Sequence, residues 1–287
     1  MQPFKHFLAR DGCVNSRLLK PLVVIKLGGA ALTDKTRIYT PRVRIIHSAA
    51  RQIATIRKTH SVLIVHGAGS YGHIPVKRFG LVDGFHNSAQ LKGLSATKFR
   101  LLQWEVKLNR IFLQHEIPVV PFQPSSYTIA RNGRIRSCEI DPIKATIRLG
   151  CIPSMGGDIV SDAATGFSIV SGDQLAAYMA VALKASMLVF ATDVDGIFNV
   201  NPKTQKHAHL IEKLYASNMS GTTTGLSPNI TDVTGGMRGK LVEAATAASK
   251  GISVFFVNLL KANRLRDLIL GKRVICSEIV RGPSQQR

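Results

Sequence analysis

Short apolar runs, Leu22 to Leu27, Ser61 to Val65, Val119 to Val120, Met187 to Ala191 and Ile252 to Val257, alternate with stretches of helical length along this chain. Runs of this size suit buried strands, and the helical stretches supply the crossovers that parallel strands require. The alternation predicts an α/β fold with a mainly parallel sheet covered by helices. Helices are expected over Pro41 to Lys58, Ser88 to His115, Asp173 to Lys184 and Met237 to Lys250. In the third, Leu175, Met179 and Leu183 recur every four residues and mark one buried face.

Between these elements, Ser125 to Ser171 is rich in glycine and is expected to hold hairpins near the carboxyl edge of the sheet. Ser217 to Thr234 has little to bury and reads as a mobile loop. Gly282 to Arg287 reads as a disordered tail, and no internal repeat is evident.

A chain of 287 residues, 45% of them hydrophobic, has enough material for a large core. No apolar stretch approaches the ~18 to 20 residues of a membrane helix, so no membrane insertion is expected. Cys13, Cys138, Cys151 and Cys276 lack metal-ligand spacing, and no secretory signal precedes them, which suits a reduced cytoplasmic setting. The first twenty residues carry Lys5, Arg10, Arg17 and Lys20 against Asp11, a weak likeness to an organelle-targeting segment without its amphipathic pattern. Lys plus Arg exceed Asp plus Glu by 38 to 17, a net charge of +21 that attracts polyanions. The basic residues are dispersed and aromatics are 6%, so the charge suits phosphorylated small molecules better than nucleic acid.

The first run ends in Lys26-Leu27-Gly28-Gly29. Glycines at the end of a parallel strand let backbone N–H groups approach an anion, and a helix N-terminus behind them adds its dipole. A tight turn alone explains the glycines but not a lysine inside an apolar strand, whose charge needs a partner. The second run ends in His66-Gly67-Ala68-Gly69-Ser70-Tyr71-Gly72-His73. This contains a formal G-x-G-x-x-G, but a dinucleotide fold places a strand-ending acid about twenty residues later, and here that stretch is Val82-Asp83-Gly84-Phe85, a loop. No Walker A motif is present either; Gly235-Gly236-Met237-Arg238-Gly239-Lys240-Leu241 has neither the spacing nor the hydroxyl after lysine.

Two glycine turns on two parallel strands line one crevice, fit for a donor phosphate facing an acceptor phosphate. Lys26 and Lys240 supply cations from distant parts of the chain, and Asp173 in Ser171-Gly172-Asp173 is placed to orient both. Asp173 also fits a plain helix N-cap, and Lys240 a solvated helix charge.

These residues resemble the amino-acid kinase superfamily, and within it the isopentenyl phosphate kinases. The likeness rests on Val24-Ile25-Lys26-Leu27-Gly28-Gly29 with Thr33-Asp34-Lys35, on His66 to His73, and on Pro124-Ser125-Ser126, Gly157-Asp158 and Ser171-Gly172-Asp173. It continues through Thr192-Asp193-Val194-Asp195-Gly196-Ile197-Phe198 and Asp232 to Lys240, in family order from about residue 21 to 280. The resemblance implies an open αβα sandwich over residues 21–280, with acceptor binding in 21–170 and ATP binding in 171–280, an N-terminal extension over 1–20 and a tail over 281–287.

It further implies ATP and Mg2+ as cofactors, no metal held by the protein's own side chains, a prenyl phosphate substrate and a homodimer. Lys26, Lys240 and Asp173 take catalytic roles together with His73. Lys26, Gly28, Gly29, Lys35, Asp193, Asp195, Gly196, Lys203, Gly236 and Lys240 face the nucleotide. Gly67, Ala68, Gly69, Gly72, His73, Gly157 and Asp158 face the acceptor. His73 marks an acceptor that already bears a phosphate, since imidazole can hydrogen-bond an anion near neutral pH; a structural histidine is the plainer alternative. Tyr71 stands where the family often has Phe.

The expected reaction is ATP-dependent phosphorylation of isopentenyl phosphate. A fosfomycin-type kinase is the alternative within the fold, and a nucleic-acid-binding protein on a kinase-like fold the alternative outside it. An apolar acceptor pocket is expected from Leu91, Leu94, Phe99, Leu102 and Phe112, which serve equally well as core.

Overall fold

A computed structural model of the chain describes residues 20–34, 37–218 and 235–282. The expectations for Lys35, the first nineteen residues, nearly all of Ser217 to Thr234 and the tail past Gly282 lie outside the described residues. In chain order the strands are β1 (Leu22–Leu27), β2 (Ser61–His66), β3 (Val119–Phe122), β4 (Thr128–Arg131), β5 (Arg134–Cys138), β6 (Ile152–Gly156) and β7 (Asp158–Asp162). They continue with β8 (Gly166–Val170), β9 (Met187–Thr192), β10 (Ile197–Phe198), β11 (Leu210–Ile211), β12 (Lys213–Tyr215), β13 (Ser253–Asn258) and β14 (Cys276–Val280). The α-helices are α1 (Gly29–Leu32), α2 (Val43–Ile56), α3 (Ser70–Arg78), α4 (Ala89–Gln114), α5 (Asp141–Arg148), α6 (Gly172–Ala182), α7 (Gly235–Ser249) and α8 (Arg264–Ile269).

The central sheet has eight strands in the order β12-β14-β13-β9-β1-β2-β6-β3. Its pairs are parallel except β13 with β14. Residue alternation along β1 sorts its side chains to two faces. Val24 packs with Leu175 and Leu241 under α6 and α7, whereas Val23 and Ile25 pack with Ile46 and Trp104 under α2 and α4. Helices thus cover both faces, the α/β sandwich expected from the alternation. The same alternation puts Lys26 on the α6 face, at the strand's carboxyl end.

Ser125 to Ser171 does contain hairpins, β4–β5 and β7–β8, joined in a four-stranded sheet of order β5-β4-β7-β8. The segment also sends β6 into the central sheet between β2 and β3, which the sequence reading did not anticipate. Ile152-Pro153-Ser154-Met155-Gly156 is neither a continuous apolar run nor free of proline, so it carries no ordinary signal of a central strand. Among the described residues no helix is long and apolar enough to cross a membrane.

Candidate active site

The parallel strands β1 and β2 deliver both glycine turns to one edge, and there the backbones touch. A Cβ on Gly29 would lie 2.5 Å from the backbone N of Gly69, and one on Gly67 would lie 2.5 Å from the N of Gly29. Gly69 has φ of +50°, a conformation that disfavours any side chain. A third turn joins them, since a Cβ on Gly157 would lie 2.7 Å from the N of Gly172, the first residue of α6. Gly28 is tied to β9 through its N–H to Ala191 O at 2.8 Å. The turns expected to share one crevice therefore do meet, beside the starts of α3 and α6, with the N–H groups of Gly28, Gly67 and Gly157 taken by Ala191 O, Leu27 O and His66 O.

Against this crevice stands the charge clamp. Lys26 is 4% exposed, and its Nζ lies 2.6 Å from Asp173 Oδ1; Lys240 Nζ lies 3.1 Å from Asp173 Oδ2. One carboxylate holds two ammoniums that are over two hundred residues apart in sequence. Burial pushes the Lys26 ammonium below its ordinary pKa, with Asp173 opposing and Lys240 adding to the fall. Burial also works against an ionised Asp173, but Lys26 and Lys240 outweigh it and hold the carboxyl below its usual range. Asp173 is not the helix cap: Ser171 takes that place, its side chain accepting from Gln174 N at 3.1 Å. Lys240 is likewise an ion-pair partner at this crevice, not a solvated charge.

His73 sits in the first helical turns of α3, exposed, with its N–H on Gly69 O at 3.2 Å. Gly72 packs on Ala68, where a Cβ would meet the Ala68 Cβ at 2.7 Å. Asp158 is engaged within the protein: its carboxylate takes Lys98 Nζ at 2.5 and 2.6 Å and the N–H of Ser125 at 3.0 Å. A cavity of about 20 Å³ beside it is lined by Ala68, Lys98, Leu101, Leu102 and Gly157. Of the apolar residues expected there, only Leu102 contributes. Phe112 is core, Leu94 packs with Leu81 and Phe167, and Leu91 and Phe99 are exposed. A 26-residue helix turns its apolar residues to several sides, so its hydrophobic content did not identify the side facing the cavity.

At the turn after β9, Asp193 pairs with Lys203, and its charge acts on Lys26. Asp195 accepts from Asn258 Nδ2 at 2.9 Å and pairs with Arg264, which together overcome the effect of burial and hold its pKa down. Gly196 packs closely on Ser277. These two residues latch the β9–β10 turn to β13, β14 and α8. Gly236 is the second residue of α7, the helix that carries Lys240.

Sequence reasoning missed three supports. Trp104 donates from Nε1 to Gly67 O at 3.0 Å and stacks on Tyr71 at 5.1 Å. Thr33 donates to Gly29 O at 2.9 Å and accepts from Ser70 N at 3.3 Å. Lys98 holds Asp158 and Ser125. The available signals were Trp104, the chain's single tryptophan, and Thr33, which lies in the quoted Thr33-Asp34-Lys35.

Residues 21–258 match the Amino acid kinase family. The isopentenyl phosphate kinase of Methanothermobacter thermautotrophicus is 31% identical over 88% of this chain and 97% of its own. That of Thermoplasma acidophilum is 29% identical over 91% of this chain and 100% of its own. A crystal structure of an isopentenyl phosphate kinase superposes with a TM-score of 0.79 at 28% identity, covering 90% of this chain and 100% of the other. The T. acidophilum enzyme in its product complex gives 0.75 at 26% identity, covering 90% and 99%.

Proposed function

This chain belongs to the amino acid kinase family, and we propose that it transfers the γ-phosphoryl group of ATP to the phosphate of isopentenyl phosphate, giving isopentenyl diphosphate and ADP. The observation that carries the reading is the Lys26–Asp173–Lys240 clamp at the meeting point of the glycine turns. An oxygen of the acceptor phosphate forms the new bond to the γ-phosphorus while the bond to the ADP oxygen breaks. The acceptor is already ionised, so no general base is required. Catalysis is positioning and neutralisation of spread negative charge. Lys26 and Lys240 neutralise the group in transfer, and Asp173 keeps them apart and aimed.

The backbone N–H of Gly29 serves the donor, and those of Ala68 and Gly69 with His73 serve the acceptor, the N–H groups of Gly28 and Gly67 being taken by Ala191 O and Leu27 O. Residues 21–170 hold the prenyl phosphate and 171–280 most of the ATP, with Lys26 and the Gly28–Gly29 turn reaching across to the donor phosphates. Asp193 and Lys203 border the nucleotide. Magnesium fits as a companion of the ATP phosphates: Asp173, Asp193 and Asp195 already face cationic side chains, leaving phosphate oxygens as its main ligands. When bound it shields the charge of those phosphates.

A homodimer accompanies this reading. A groove of about 680 Å³ between α2 and α4 is lined by Val43, Phe99, Leu102, Val106 and Ile111, and Phe99 is 59% exposed. An apolar surface of this kind suits a second copy of the chain, and sedimentation of the purified protein as a monomer would remove it. The free thiols of Cys138, Cys151 and Cys276 suit the cytoplasm.

The functional test is an acceptor panel with ATP and magnesium: isopentenyl phosphate, dimethylallyl phosphate, longer prenyl phosphates, fosfomycin and acetylglutamate. ADP release with isopentenyl phosphate well above all non-prenyl acceptors is expected. Preference for fosfomycin would overturn the choice of acceptor.

A further inference from the structure

The turn between β4 and β5, at Asn132 and Gly133, is held by Asp162 and by a neighbour of the clamp, Gln174. Asp162 of β7 accepts from Asn132 N at 3.1 Å and Gly133 N at 2.9 Å. Gln174, next to Asp173 on α6, accepts from Ile135 N at 3.0 Å and donates to Gly133 O at 3.0 Å. Arg134 then reaches α7, where its two terminal nitrogens pair with the two oxygens of Glu243, Nη2 to Oε2 at 3.1 Å. Glu243 is 6% exposed and lies three residues after Lys240, on the same side of the helix.

We propose that Arg134 and Glu243 are positioning residues for phosphoryl transfer: the β4–β5 turn braces α7 against α6 and so keeps Lys240 on Asp173. The inference rests on the clamp reading given above. The Arg134 side chain is 57% exposed, and an ion pair open to solvent on one side is weak evidence for stability. What a two-point Arg–carboxylate pair supplies is fixed geometry. Lys240 has need of it, since its long stem takes whatever position the helix gives it, whereas Lys26 is set by a central strand. The same turn touches Gln174 and Glu243, so it fixes the spacing between the helices of Asp173 and Lys240.

The test is R134Q, with E243Q beside it, in the full-length protein. Each is expected to lower kcat about tenfold with the acceptor KM within about twofold, because a small displacement of a catalytic group costs rate more than binding. Arg134→Lys should recover part of the loss. In a K240M background R134Q should cost nothing further in kcat, since its effect passes through Lys240. Amide exchange over Lys240 to Glu243, which needs no turnover, should quicken in R134Q while circular dichroism stays native. Unchanged exchange there overturns the brace whatever the acceptor proves to be, as does a loss of kcat that adds in full to that of K240M. A wild-type protein that phosphorylates no acceptor overturns the kinase reading alone. Should R134Q fail to fold, the exchanged pair Arg134→Glu with Glu243→Arg decides: restored kcat supports the brace, and a folded protein with low kcat overturns it.

Discussion

Asp173→Asn is the most exacting single test of the clamp. The substitution keeps the size of the side chain, and Ser171 keeps the helix cap, so neither packing nor capping changes. What goes is the negative charge 2.6 Å from Lys26 and 3.1 Å from Lys240. Lys26, at 4% exposure, has no water to turn to. Removing one member of a buried pair costs about 3–5 kcal/mol, and the partial exposure of Lys240 points to the lower end, about 3 kcal/mol. Turnover should fall by about 10² to 10³, the effect of losing one preorganised electrostatic group. The pH profile carries a separate signature. In the native protein burial lowers the Lys26 pKa and Asp173 pulls it back. Without Asp173 the burial effect is less opposed, Lys26 loses its proton at still lower pH, and the residual activity of the variant should rise as pH falls. Urea unfolding, with initial rates from pH 6 to 9, measures all three quantities. Stability within about 1 kcal/mol of native, together with an unchanged pH profile, would refute the argument.

Lys26→Met and Lys240→Met should each lower kcat about a hundredfold or more while circular dichroism stays native, the expected cost of removing one charge from the transferring group. His73→Ala should lower kcat/KM for the acceptor about ten- to a hundredfold and leave ATP affinity, titrated without acceptor, nearly unchanged. Asp162→Ala should cost about 2 kcal/mol of stability, because the carboxylate accepts from the amides of Asn132, Gly133, Ala164 and Thr165. Those bonds hold the Asp162 pKa below its ordinary 3.8 against the effect of burial, so the stabilisation is whole above that value and is lost as pH falls further. Unfolding midpoints of native and variant proteins should therefore converge in acid.

What could be read from the sequence depended on whether a residue's role is written in its neighbours. Lys26 was legible because an ionised group inside Leu22–Leu27 demands a partner, and the α6 start offered Asp173. The glycine turns were legible because each closes an apolar strand. Pairings across long separations were not: Lys98 with Asp158, Trp104 with Gly67 and Arg134 with Glu243 join residues that only the folded chain brings together. Strand β6 stayed hidden because Pro153 and the buried Ser154 break its apolar pattern, and only its pairing with β2 and β3 in the folded sheet reveals it. The family resemblance named Asp158 and Asp195 as ligand contacts, and in the fold both carboxylates face cationic partners of the protein itself.

The contact between the two glycine turns also bears on how this site can change under selection. A side chain that clashes in an ordinary core can be accommodated by a smaller residue opposite. At Gly29 the atoms opposite are the backbone N and Cα of Gly69, at 2.5 and 2.9 Å, and at Gly67 they are those of Gly29. Nothing there can be made smaller. A genetic screen starting from Gly29→Ala should therefore return true revertants to glycine and no suppressor among the residues that touch it.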